Sequence, residues 1–215
     1  MSFTEMRMNK PFTIPILATL LTAGIILVCY FFIDRPVADA ALSIKSTDWH
    51  SMAKQTSLLA NALFIKTLMA TGILIGACDA LMNGLTRRSK HVFYLCLSVS
   101  CAMLIGDVLK DVFGRARPQL FFNEEIYGFY PLTGEYLYSS FPSGHTLRIF
   151  SIMTGLGYIL PKLRLPAFGL ALLVGMARVV ALKHYPSDVL FGAFIGIMAA
   201  VWGWRILYPY EDRKA

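Results

Sequence analysis

The sequence predicts an all-α protein, an integral membrane bundle of six transmembrane helices forming one domain over residues 1–215. Three observations predict it. Hydrophobic residues make up 56% of the 215-residue chain and charged residues only 15%, against about 25% in an ordinary soluble domain, and mean hydropathy is +0.58. The apolar residues gather in uncharged runs, several of about 18 residues or more, the length at which a helix crosses some 30 Å of hydrocarbon with its backbone internally paired. No internal repeat, Gly/Ser linker or low-complexity tract divides the chain.

The first run, Pro11 to Ile33, exceeds the roughly 7 to 15 apolar residues of a secretory leader, so it reads as a retained helix although Ala38 and Ala40 imitate a cleavage site. The second, about Ser57 to Leu81, contains Lys66 and carries Asp79 near its end, which leaves its limits open. Four more follow at about His91–Val108, Thr146–Leu160, Leu165–Leu182 and Val189–Leu207, and a short interfacial helix fits between Pro36 and Ser57. Six crossings put both termini on one side. Trp202, Trp204, Tyr208 and Tyr210 suit an aromatic belt at the membrane surface. Cys29, Cys78, Cys96 and Cys101 lie in apolar runs without zinc spacing or the loop context of a disulfide framework, and read as packing residues.

Lys and Arg concentrate in the cytoplasmic loops of membrane proteins. Arg7 and Lys10, then Arg87, Arg88 and Lys90, then Lys162 and Arg164, and finally Arg205, Arg213 and Lys214 fall on one side of the six-span layout, which assigns that side to the cytoplasm. Topology thereby accounts for the net charge of +7, and a nucleic-acid partner is excluded because no soluble basic domain carries it. The lipid bilayer is the expected partner; oligomeric state leaves no mark in the sequence.

Topology does not account for three clusters on the opposite face. After the third run, Lys110, Arg115 and Arg117 stand at a boundary where positive charge is scarce, and if the helix continues, Lys110 and Arg117 lie two turns apart on one face. They read as an anion site, or as snorkelling anchors. Pro142-Ser143-Gly144-His145 opens the fourth run. Unpaired N–H groups and the positive end of the helix dipole make such a start an anion cradle, Gly144 admits a phosphate close to the backbone, and His145 can donate a proton. An ordinary Ser cap beside an interfacial His is the alternative. In the third cluster, Arg178 offers bidentate phosphate geometry, His184 precedes Pro186, and Asp188 sits in the first turn of the last helix, within reach of His184. A carboxylate holding one imidazole nitrogen frees the other for attack, although a loop His and a dipole-satisfying Asp are each common alone. Together the clusters describe a phosphoryl-transfer site, with a nucleophile and an acid supplied by the two histidines.

In order and spacing, Lys110 to Pro118, Pro142 to His145 and Arg178 to Asp188 match the motifs K-x6-R-P, P-S-G-H and S-R-x5-H-x3-D, and the chain thereby resembles the type 2 phosphatidic acid phosphatase (PAP2) superfamily. The resemblance implies that His184 attacks phosphorus and becomes phosphohistidine, that Asp188 orients it, and that His145 protonates the departing lipid oxygen before water releases phosphate. By the same resemblance Lys110, Arg117, Arg178, Ser143 and the Gly144 amide hold the phosphoryl oxygens. No metal and no cofactor is implied, and neither His50 nor His91 stands in a ligand-spaced cluster. Ala177 departs from the pattern, which has Ser there; one neutral hydrogen bond is worth about 0.5 to 1.5 kcal/mol, too little to abolish catalysis.

Arg148, one helical turn beyond His145, reads either as a contact to a second headgroup phosphate or as the partner of Asp107, and Arg115 as a further headgroup contact. The aromatic segment from Gln119 to Ser140 reads as a lid lying on the membrane or as a plain interfacial belt. The expected activity is hydrolysis of a phosphorylated membrane lipid, with undecaprenyl pyrophosphate, phosphatidylglycerophosphate, phosphatidic acid and lipid A phosphates as candidates and a cell-envelope lipid preferred. Small size and the bare six-span layout point to a bacterial inner membrane with the site facing the periplasm. A lipid phosphotransferase and a transporter are the competing readings; a transporter would gather its charges at midplane rather than at one face.

Overall fold

The computed structural model describes residues 13–208. Arg7, Lys10, Tyr210, Arg213 and Lys214, and the start of the first run at Pro11, lie outside them. Helix α1 (Thr13–Val28) passes through a π-helical turn at Cys29–Ile33 into α2 (Asp34–Ser43), so the first helix continues past the expected limit at Ile33 and carries Asp34 within it. Helix α3 (Asp48–Ser57) occupies the stretch expected to hold a short interfacial helix. Asn61 breaks the chain after it and caps α4 (Ala62–Asn83), its Oδ1 accepting the Leu63 N–H at 2.9 Å. Thr86 caps α5 (Arg87–Phe113) in the same way, through the Ser89 N–H at 3.1 Å.

Gly114 ends α5 in the left-handed conformation at φ 57°, and any side chain there would collide with the Tyr130 carbonyl. This turn sends Arg115 inward. Then come α6 (Pro118–Glu124), α7 (Gly144–Ile159), α8 (Arg164–Val180) and α9 (Pro186–Leu207). Among the described residues no strand forms; an isolated bridge pairs Arg115 with Phe129.

Helix α7 is the hub, packed against α9, α8 and α5, while α3 lies on α8 and α4 on α5. Gly192 and Gly196 let α9 rest on the α7 backbone: a Cβ on Gly192 would come within 2.7 Å of the Ser143 carbonyl, and one on Gly196 within 2.8 Å of the Ser151 nitrogen. Ala102, Leu147 and Ile195 fill one part of the core, Phe150, Ala171 and Val174 another. Outward-facing Leu20, Leu21, Phe32, Leu63 and Leu81 are exposed, as hydrocarbon solvent requires. Cys78 and Cys101 share that exposed surface; of the four expected packing cysteines, Cys29 and Cys96 are buried.

Among the described residues five helical stretches, rather than the six expected, are long and apolar enough to cross a membrane: Pro15–Ser43, Asp48–Asn83, Arg87–Phe113, Pro161–Val180 and Pro186–Leu207. The exception is α7, whose 16 residues span about 24 Å at 1.5 Å per residue. The protein is an integral membrane protein on this count and composition.

Candidate active site

Three segments meet at one end of the bundle: the turn after α5, the start of α7, and the α8–α9 junction. The last is a tight reversal in which Leu182 adopts φ 53° and the N–H groups of Lys183 and His184 both donate to the Arg178 carbonyl, at 3.1 and 3.3 Å. His184 is thereby turned inward and is buried. Its Nδ1 lies 2.8 Å from the Ser140 carbonyl. A carbonyl only accepts, so Nδ1 carries the proton and Nε2 keeps its lone pair.

This corrects the expected orienting contact. Asp188 Oδ2 stands 3.7 Å from His184 Nδ1, too far for a hydrogen bond, because that oxygen already accepts from the Ser140 hydroxyl at 2.6 Å and the Tyr185 N–H at 2.8 Å. Asp188 acts on His184 at one remove, by fixing the residue whose carbonyl does the orienting. Burial, reinforced by the charges of Arg117, Arg178 and Lys110, holds the His184 imidazole well below its ordinary value of 6.5, so it is neutral at pH 7.

Arg115 is likewise displaced from its expected place against a headgroup. It is fully buried, donating to Asp188 Oδ1 at 2.5 Å, to Asp34 Oδ2 at 2.7 Å and to the hydroxyls of Ser187 at 2.5 Å and Tyr127 at 3.2 Å, with its guanidinium over the Tyr185 ring at 4.5 Å. Asp34 also accepts the Ser187 N–H at 3.0 Å. These charges face one another, not a ligand.

The other cations are differently placed. Arg117 is buried, bridging the carbonyls of Tyr136, Lys183 and Ser139 at 2.9, 3.1 and 3.1 Å. Arg178 donates to Ser57 Oγ at 2.8 Å, and its Nε makes no hydrogen bond among the described residues. Arg148 gives its Nε to the Ala60 carbonyl at 2.9 Å and lies with Nη2 3.3 Å from His145 Nδ1. Asp107, the alternative partner for Arg148, instead accepts from Lys110 Nζ at 2.9 Å. Arg117, Arg148 and Arg178 form no ion pair among the described residues. A Cβ at Gly144 would sit 3.2 Å from Lys110 Nζ and 3.3 Å from Arg148 Nη1, so the bare glycine keeps open the space between two cations.

Ser143 is not an ordinary cap. Its side chain makes no capping bond; the hydroxyl accepts from Thr146 Oγ1 at 2.8 Å, and its N–H donates to the Asp188 carbonyl at 3.0 Å, tying the second cluster to the third. Ala177 packs with Ala53 and Ala181, so at this position α8 meets α3 through small apolar groups. The aromatic segment is anchored at one end, Tyr127 stacking on Tyr30 at 5.0 Å and donating to its carbonyl at 2.7 Å, while Leu132 and Tyr136 remain exposed.

Sequence reasoning missed Asp34, Ser140 and Ser187. For Asp34 a signal existed: a carboxylate at the end of an apolar run, in a helix without an exit before Ser43, needs a partner. Ser140 contributes through its backbone carbonyl, which has no sequence signature.

The family model of the PAP2 superfamily matches residues 91–211. The chain is 34% identical over 112 residues to a lipid A 1-phosphatase of Rhizobium johnstonii, an alignment covering 50% of this chain and 46% of that protein. It is 26% identical over 203 residues to phosphatidylglycerophosphatase B of Bacillus subtilis, covering 89% and 91% respectively. The chain thus spans about half the length of the lipid A 1-phosphatases it matches. Its fold is that of Aquifex aeolicus LpxE (TM-score 0.61, 22% identity, 81% of this chain and 96% of that one) and of a PAP2-type phosphatidylglycerolphosphate phosphatase from Bacillus subtilis (TM-score 0.65, 24% identity, 89% and 94%).

Proposed function

This chain belongs to the PAP2 superfamily, and on that premise we propose that it is a membrane lipid phosphatase working through a phosphohistidine intermediate. The observation that carries the reading is His184: buried, neutral, its Nδ1 proton committed to the Ser140 carbonyl, with the lone pair on Nε2 available and three cations around it. A neutral imidazole is a nucleophile, and the cations stabilise the charge that grows on the phosphoryl oxygens as it attacks. Lys110, Arg117, Arg178, Ser143 and the Gly144 amide hold those oxygens in this reading. His145 serves the leaving oxygen, and Asp188 and Ser140 keep the nucleophile in register.

All six predicted helices cross the bilayer in this proposal, α7 doing so inside a sheath of longer neighbours that makes its shortness tolerable. The site then opens on the periplasmic side of a bacterial inner membrane, which favours a cell-envelope lipid bearing a phosphate monoester or diphosphate. The similarity to proteins named lipid A 1-phosphatase and phosphatidylglycerophosphatase B supports both lipid classes.

Purified wild type and His184→Ala in detergent, given lipid A, polyprenyl and phospholipid phosphates, test the reading through inorganic phosphate. Release by the wild type alone is expected, with a ³²P-labelled substrate leaving acid-labile label on the protein. Equal release by both proteins, or none from any lipid, would sink it.

A further inference from the structure

Resting on that reading, we propose that Arg148 is a positioning residue: it fixes His145 as a neutral imidazole with its proton on Nε2 and polarises that N–H toward the departing ester oxygen. A guanidinium has five donors and no acceptor, so the approach of Arg148 Nη2 to His145 Nδ1 at 3.3 Å requires Nδ1 to accept. The proton then resides on Nε2. The two histidines are held in opposite tautomers: His184 has its proton on Nδ1, bonded to the Ser140 carbonyl, and offers a lone pair, whereas His145 has its lone pair on Nδ1, bonded to Arg148, and offers a proton. An imidazolium at His145 would set donor against donor and cation against cation across the same gap.

Arg148 is built to stay where it is. Its side chain is buried, its Nε is tied to the Ala60 carbonyl at 2.9 Å, and it lies one turn along the same helix face as His145. It has no ion pair among the described residues, Asp107 being taken by Lys110. A guanidinium buried without an anion at ion-pair distance is destabilising, and contact with a reacting imidazole gives it a use.

The chemistry balances without further reagents. His184 Nε2 donates its electron pair to phosphorus, the P–O bond to the lipid breaks, and the leaving oxygen takes the Nε2 proton of His145, whose developing negative charge lies against Arg148. Water then returns a proton to His145 Nε2 as its oxygen attacks phosphorus, and the P–N electrons go back to His184. A neutral imidazole held against protonation is a recognised electrophile of this kind.

A residue acting through the acid affects poor leaving groups and spares good ones. Wild type, Arg148→Met, His145→Ala and the double variant would be assayed on a long-chain alkyl phosphate, the alkyl diphosphate of the same chain, and 4-nitrophenyl phosphate. For Arg148→Met, kcat/KM on the alkyl phosphate should fall by about 10²-fold, within the span of general acid catalysis, and on the two better leaving groups by no more than about 10-fold. Adding Arg148→Met to His145→Ala should cost little more than His145→Ala alone. Arg148→Lys keeps a buried cation but loses the fork spanning Ala60 and His145; it should show the same selectivity and replaces Arg148→Met if that variant does not assemble. Equal losses on all three substrates, or an undiminished loss in the His145→Ala background, would overturn the proposal. So would a loss concentrated on the diphosphate, which would make Arg148, with Nη1 beside Lys110 and Gly144, a ligand for a second phosphoryl group. In each of those cases the phosphatase reading stands; a wild type inactive on every ester would remove both.

Discussion

Replacing Arg115 with Met should unfold the site rather than weaken substrate binding. The guanidinium is wholly buried and holds two carboxylates, Asp34 and Asp188, which are also fully buried. Its loss leaves both without a cation at hydrogen-bonding distance, and removing one partner of a buried pair costs about 3 to 5 kcal/mol. For a chain of this size that corresponds to roughly 6 to 20 °C in unfolding midpoint. Asp34→Asn should be milder, because Arg115 keeps Asp188 and the amide oxygen can still accept from Ser187; loss of charge-assisted bonds amounts to about 1.5 to 3 kcal/mol. The expected order of stability is wild type, Asp34→Asn, Arg115→Met, read by heating detergent-solubilised protein and measuring the monodisperse fraction by fluorescence-detected size exclusion. An Arg115→Met protein with an unchanged midpoint and a raised KM for lipid substrate alone would refute this reasoning and restore the headgroup contact.

The His184 imidazole, held down by burial and by Arg117 and Arg178, keeps its lone pair as pH falls, so the acid limb of kcat/KM due to His184 should lie below pH 6.5. Arg178→Gln removes one of the charges opposing protonation and should move that limb upward on the same substrate; an unmoved limb would remove Arg178 from the surroundings of the nucleophile. Gly196→Val drives a side chain into the α7 backbone at Leu147 and Ser151 and should cost about 1 to 3 kcal/mol or more, with activity falling alongside the unfolding midpoint. Inorganic phosphate at about 100 times its Kd should stabilise the wild type by about 2.7 kcal/mol, and less in Arg178→Gln. Chelator should leave the rate unchanged, since the proposed charge stabilisation comes from Lys and Arg; a chelator-sensitive rate would contradict that assignment.

The membrane helices were legible because hydrocarbon imposes length and apolarity directly on composition, and predicted and observed limits agree to within a few residues for α8 and α9. The three motifs were legible as local spacings. What escaped were the individual pairings that cross the chain. Arg115 and Arg117 stand two residues apart in one motif, yet Gly114 turns the first into a closed ion cluster, while the second bridges carbonyls beside His184. The carboxylate predicted to hold the nucleophile is instead saturated by other donors, a competition visible only once Ser140 and Tyr185 are placed in space. Helix α7, at 16 residues, is no shorter than the Thr146–Leu160 run read from the sequence, which was itself below the length expected of a crossing helix.

The bond between Asp34 and Ser187 joins residues 153 positions apart. During synthesis Asp34 enters the bilayer early, and α9, which brings Ser187 and Asp188, enters late. Until then the network around Asp34 and Arg115 lacks Ser187 and Asp188, which leaves Arg115 with one of its two carboxylates. Arrival of the final helix therefore closes the ion cluster and, through Asp188 and Ser140, completes the surroundings of His184. In the proposed mechanism, a chain stalled before α9 lacks the residues that close this network and hold His184 in register.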